Sequence, residues 1–123
     1  MRGKEYLAKA EQYALVYSKG SSQVSGLVVM RALPNSLRFS RYGFSVSKRV
    51  GKAVVRNKVK RRLREIVRQL PIRGGWDMVF IARPAVTTVQ YAKIKNSVGR
   101  LLSQAHLLEV PSVESERLTS EGR

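Results

Sequence analysis

Arg56, Lys60, Arg64 and Arg68 recur at intervals of four residues, with Asn57 and Arg61 set between them. On a helix each such step advances about 6 Å along the axis, close to the separation of neighbouring phosphates on a nucleic-acid strand. Guanidinium groups offer paired planar donors to phosphate oxygens, and an asparagine amide can bond a 2′-hydroxyl or a base edge. The chemistry such a ladder can do is to grip a polyanion. An exposed helix laced with salt bridges is the rival reading, and it expects interspersed glutamates; Glu65 is the one acid in the stretch. Like charges four apart cost a helix a few tenths of a kcal/mol per pair, so the ladder opposes folding until a polyanion lies against it.

Bond cleavage, by contrast, has no visible machinery. Metal-dependent phosphodiester hydrolysis needs converging carboxylates, and upstream of Pro111 the acids are Glu5, Glu11, Glu65, Asp77 and Glu109, each isolated in sequence. A metal-free route wants two general acid–base groups, and His106 is the single histidine, placed near the end of the last helix where a surface or helix-end role suits it. A free-standing nuclease is therefore disfavoured, and we expect neither catalytic residues nor metal ligands on this chain.

The whole composition agrees with the ladder. Across 123 residues, 24 Lys plus Arg stand against 8 Asp plus Glu, a formal charge of +16. An excess of that size and one sign points to nucleic acid ahead of an anionic membrane or a merely solvated surface. Cysteine is absent, which excludes disulfides and thiolate metal sites. The first ten residues lack the apolar run of a signal peptide, and nothing approaches a membrane span, so a cytoplasmic protein is expected.

The elements that must carry these groups are legible in outline. Lys4 to Lys19 has apolar residues at helical spacing and predicts a first helix, followed by a loop at Ser21, Ser22 and Gln23. Leu27 to Leu33 and Arg38 to Ser47, joined by Pro34-Asn35-Ser36, predict an antiparallel hairpin. In its second strand Tyr42, Phe44 and Val46 alternate with Phe39, Arg41, Gly43, Ser45 and Ser47, giving a core face and a basic, small-residue face. That second face could be plain solvent surface or a bed for a ligand.

A long helix is predicted from about Ala53 to Leu70. At about 100° per residue, Val55, Val59, Leu63, Ile66, Val67 and Leu70 share a core-facing arc and the cationic ladder occupies the arc beside it. Arg62, with Lys58 and Glu65 on the remaining side, reads as solvated surface that a nearby carboxylate can neutralise. Trp76 to Arg83 reads as a buried strand, and Val89 to Leu108 as a last amphipathic helix. Residues 1–110 are expected to form one domain, with 111–123 a disordered acidic and serine-rich tail.

Gly51, Val54, Arg56-Asn57, Lys60-Arg61 and Arg64-Glu65, preceded by Phe44-Ser45-Val46-Ser47-Lys48 and followed by Val79-Phe80-Ile81-Ala82-Arg83, resemble the bacterial ribonuclease P protein family. The likeness runs from about Tyr13 to Leu102. It implies an α/β (α+β) sandwich of helix, β-hairpin, long basic helix, strand and helix, a ribosomal protein S5 domain 2-like fold with a left-handed βαβ crossover, against the general right-handed preference. It also implies a protein subunit of ribonuclease P, partnered by the ribonuclease P RNA and precursor tRNA, with no membrane and no obligate protein partner. The active site and its magnesium ions would lie on the RNA.

Carried over by position, the RNA-subunit-binding residues are Arg56, Asn57, Lys60, Arg61 and Arg64, with Arg68 added from the helical wheel. The resemblance further implies a cleft between the first helix and the sheet for the single-stranded 5′ leader of precursor tRNA. Tyr13 and Tyr17 would stack on its bases, Ser45 would lie on the small-residue face, and Lys48, Arg49, Lys52 and Arg83 would meet its phosphates. Their spacing alone equally suits two core rings. Where family members often carry a basic segment ending in Arg-Leu, this chain has Glu5-Tyr6-Leu7, so contacts of that segment are not carried over. Charge and fold alone also suit a ribosomal or other structural RNA-binding protein, which restoration of 5′ maturation with the cognate RNA would discriminate, and a DNA-binding helix is a weaker alternative that competition between duplex DNA and structured RNA would test.

Overall fold

The computed structural model describes residues 5–109; the segment 111–123, read above as a disordered tail, lies outside the described residues. Along the chain the elements are β1 (Glu5–Tyr6), α1 (Ala10–Lys19), β2 (Ser21–Val24), β3 (Val28–Pro34), β4 (Arg41–Ser45), α2 (Ala53–Gln69), β5 (Trp76–Ala82), a 3-10 turn (Pro84–Thr88) and α3 (Tyr91–Gln104). One mixed sheet runs in the order β1-β4-β5-β3-β2.

Its centre is β5, the one strand whose apolar run does not alternate, as a strand covered on both faces requires. Met78, Val79, Phe80 and Ala82 are buried. On one side β3 pairs with it antiparallel, from Val28 opposite Ala82 to Pro34 opposite Trp76. On the other, β4 pairs parallel, from Arg41 opposite Asp77 to Ser45 opposite Ile81. The expected hairpin between residues 27–33 and 38–47 is thus not formed, because β5 lies between the two strands.

The hairpin that does exist is β2–β3, running from Ser21 opposite Ala32 to Val24 opposite Val29. Its turn closes on Ser25, whose Oγ accepts the Leu27 and Val28 N–H groups at 3.2 and 3.0 Å. Ser21 to Gln23, expected as a loop, are therefore an edge strand with no apolar alternation, held by β3's backbone. The first helix is likewise shorter than predicted. Glu5 and Tyr6 pair parallel with β4, the Leu7 N–H donates to the Tyr42 carbonyl at 2.8 Å, and the helix starts where Gln12 Oε1 accepts the Ala8 and Lys9 N–H groups at 2.8 and 3.0 Å.

Helices cover both faces. Leu63, Ile66 and Val67 of α2 and Ile94, Val98, Leu101 and Leu102 of α3 join Met30, Tyr42, Met78 and Phe80 in the main core. α1 closes the opposite face with a smaller cluster of Leu7, Val16 and Val79, flanked by Tyr13, Leu33 and Ile81. The α2 stripe holds as predicted at Val59, Leu63, Ile66 and Val67, but Val55, in the first turn, is 36% exposed.

Arg41, expected on an open basic face, is instead committed to Asp77. Its Nε and an Nη donate to the two carboxylate oxygens at 2.8 and 2.7 Å, and Asn35 Nδ2 donates to the same group at 2.9 Å. This hydrogen bonding to Asp77 raises the Arg41 pKa. Tyr42 stands beside it in the main core, and burial pushes its hydroxyl up to about 12 from 10.0. The neutral form is favoured by folding, so its contribution is complete below pH 10 and lost as pH rises through about 12. In alkaline equilibrium unfolding, Tyr42→Phe should remove about 2 kcal/mol of the wild-type decline across that window; parallel pH profiles of the two proteins would refute it.

Candidate nucleic-acid interface

α2 turns a half-buried to exposed row of cations away from the core. Arg56, Lys60 and Arg64 are half-buried, and Asn57, Arg61 and Arg68 are exposed. Among the described residues the one ion pair is Arg41 with Asp77, so no carboxylate neutralises any cation of the row. Glu65 is exposed and pairs with nothing described, which also corrects the expectation for Arg62: it is half-buried and has no carboxylate partner. Arg56 Nε is buried without a hydrogen-bond partner. The first turn of α2 contains no acid, although a helix N-terminus favours one. The row is thus electrostatically unsatisfied along its length.

The opposite face of the sheet is organised around α1. Arg31 on β3 fastens the end of that helix, its Nη2 donating to the Tyr17 and Gly20 carbonyls at 2.7 and 2.9 Å. Sequence reasoning missed this residue, since nothing local to Arg31 announces a helix packed on its strand. Toward the middle of α1 the Tyr13 ring lies directly on Gly43, where an added Cβ would stand 2.6 Å from the ring. The small residue on that strand face is what lets the ring approach. Tyr13 is half-buried; burial raises its pKa, with the Phe44 backbone acting in the opposite direction and Tyr17 adding to the rise. Tyr17 is 39% exposed. Neither ring belongs to the fully buried core.

Beyond α1 the sheet keeps an incompletely covered row. Ser45, Ile81 and Val29 are register neighbours across β4, β5 and β3, and all three are half-buried. Past this row lie the ends of the parallel strands, the place where ligands meet open α/β sheets. Arg83 follows β5, Lys48 and Arg49 follow β4, and Lys52 caps α2; all four are exposed. The structure therefore collects Ser45, Lys48, Arg49, Lys52 and Arg83 at one end of the sheet, with Tyr13 and Tyr17 on the helix bordering it.

The two surfaces are not separate. Lys60 and Arg64 of α2 line one depression with Tyr13 of α1, so the faces adjoin around the outer edge of β4. His106 follows α3 in a left-handed turn and is exposed. Among the described residues no three His, Cys, Asp or Glu side chains come together in a metal-ligating group. No described helix is long and apolar enough to cross a membrane.

Comparison with known proteins adds a consistent set of matches. The profile of the family described as Ribonuclease P matches residues 1–106. The chain is similar to the ribonuclease P protein component of Dehalococcoides mccartyi, 45% identical over 108 residues, spanning 88% of this chain and 90% of that one. The component from Roseiflexus castenholzii is 45% identical over 106 residues, spanning 84% and 87%. Among solved structures, the RNase P protein of Staphylococcus aureus superposes with a TM-score of 0.77 at 32% identity, covering 85% of this chain and 97% of that one. That of Thermotoga maritima gives 0.75 at 30%, covering 82% and 97%.

Proposed function

The chain belongs to the ribonuclease P protein family, and from that premise we propose that it docks on the catalytic RNA through α2 and holds the 5′ leader of precursor tRNA on the α1 face. As a cytoplasmic ribonucleoprotein subunit it would promote removal of that leader. The observation that carries the reading is the cationic row of α2, Arg56, Asn57, Lys60, Arg61, Arg64 and Arg68, which has no carboxylate partner among the described residues. A row of like charges with no counter-charge is unfavourable in the free protein and becomes favourable against phosphates.

The chain's own part is binding and placement. Lys48, Arg49, Lys52 and Arg83 meet leader phosphates at the sheet's end, Ser45 lines the open row, and Tyr13 and Tyr17 offer ring faces that stack on unpaired bases without reading sequence. Magnesium supplies the hydrolytic chemistry when bound, and we assign it to the RNA subunit, because the described acids of this chain do not converge on a site that fits a divalent ion.

The leader assignment is tested by replacing Tyr13 and Tyr17 together with alanine and measuring holoenzyme affinity for precursor and mature tRNA. Loss of two stacking rings should weaken precursor binding by roughly tenfold or more while leaving mature tRNA unchanged. Equal losses for both substrates would return these rings to a purely structural role.

A further inference from the structure

Around the outer edge of β4, where β1 supplies only two residues of cover, the depression of about 280 Å³ between the two proposed surfaces takes Lys60 and Arg64 from one and Tyr13 from the other, and adds Tyr6 and Phe44, which belong to neither. One wall is aromatic. Tyr6 is 39% exposed, and its ring lies 6.1 Å from that of Phe44, tilted by 55°. Phe44 is itself only half-buried and is backed by Phe80, stacked at 6.0 Å and 19°. The other wall is cationic, formed by Lys60 and Arg64 of α2, neither paired with a carboxylate among the described residues. An open ring supported from behind and facing two uncompensated cations matches the two halves of one nucleotide, a flat base and its phosphate.

We infer that this depression receives one unstacked nucleotide of the ribonuclease P RNA, its base against Tyr6 and Phe44 and its phosphate on Lys60 and Arg64. The inference rests on α2 being the RNA-docking helix, since both cations belong to it. Tyr13, assigned above to the leader, also lines the depression, but the RNA subunit is its occupant because both of its cations, Lys60 and Arg64, stand in the middle of that helix, whereas the leader cations lie at the far end of β4 and β5. Tyr6 is the residue that makes the site specific for a base. Its ring touches Phe44 on one side and stays 39% exposed on the rest, so an open face remains for a base.

The test compares Tyr6→Ala and Tyr6→Phe with the wild type in binding to the cognate ribonuclease P RNA alone, across a salt series. Tyr6→Ala should lose roughly tenfold in affinity with an unchanged salt slope, because a ring releases no counterions. Tyr6→Phe, which keeps the ring, should bind within about twofold of wild type. Unchanged affinity in Tyr6→Ala would overturn the inference, as would a loss seen only with precursor tRNA, which would make the base a leader base. Failure of the underlying docking reading shows separately, as an unaltered salt slope when α2 cations are removed.

Discussion

Reversing Arg56 and Arg61 together to glutamate should weaken assembly with the ribonuclease P RNA by about 100-fold near 0.1 M salt and lower the log–log salt slope by about 1.4–1.8. Each phosphate contact accounts for roughly 0.7–0.9 of that slope, and two are removed. The effect is not a disguised loss of fold. Glutamate at position 56 falls in the first turn of α2, where the helix dipole favours an acid, and it faces Lys60 one turn on with opposite charge. Neither side chain belongs to the buried core. Thermal unfolding of the variant should match wild type within a few degrees, while filter binding over a salt series reads the loss. A slope equal to wild type would remove α2 from the RNA contact.

Asp77→Ala should cost about 3 kcal/mol of folding stability. The carboxylate is 4% exposed and accepts two bonds from Arg41 and one from Asn35. Its removal strands a half-buried guanidinium on β4 and the amide donor of Asn35 just after β3. With total stabilities of about 5–15 kcal/mol for small domains, that is a substantial fraction. The paired replacement Arg41→Met with Asp77→Leu leaves no orphaned charge and should recover most of the loss, since buried ion pairs contribute little against apolar substitutes of similar volume. Denaturant titration measures both. A cost below 1 kcal/mol for Asp77→Ala would mean that water replaces the carboxylate.

What the sequence disclosed follows the reach of its signals. The 3.6-residue pattern of α2 separated Val59, Leu63 and Ile66 from the cations beside them, because both sets lie within one element. The uninterrupted run from Trp76 marked β5 as buried, yet not which strands flank it. That depends on non-local pairing, and adjacency along the chain favoured a 27–33 with 38–47 hairpin that β5 in fact interrupts. β1 and β2 were invisible for a different reason: two residues carry no period, and Ser21-Ser22-Gln23 is a strand only because β3 lends it partners.

The candidate sites divide in the same way. Cations at helical spacing announce themselves, whereas Arg31 clasping α1, Tyr13 resting on Gly43, and Tyr6 meeting Phe44 each join residues distant in sequence.

The central claim, that this chain positions RNA for cleavage carried out by another RNA, is tested most directly by precursor tRNA processing at low magnesium. The cognate ribonuclease P RNA alone should cleave slowly, the pure chain not at all, and the two together should restore 5′ maturation, with the Arg56→Glu/Arg61→Glu variant failing to do so. Cleavage by the pure chain that a chelator abolishes, or full stimulation by the charge-reversed variant, would contradict it.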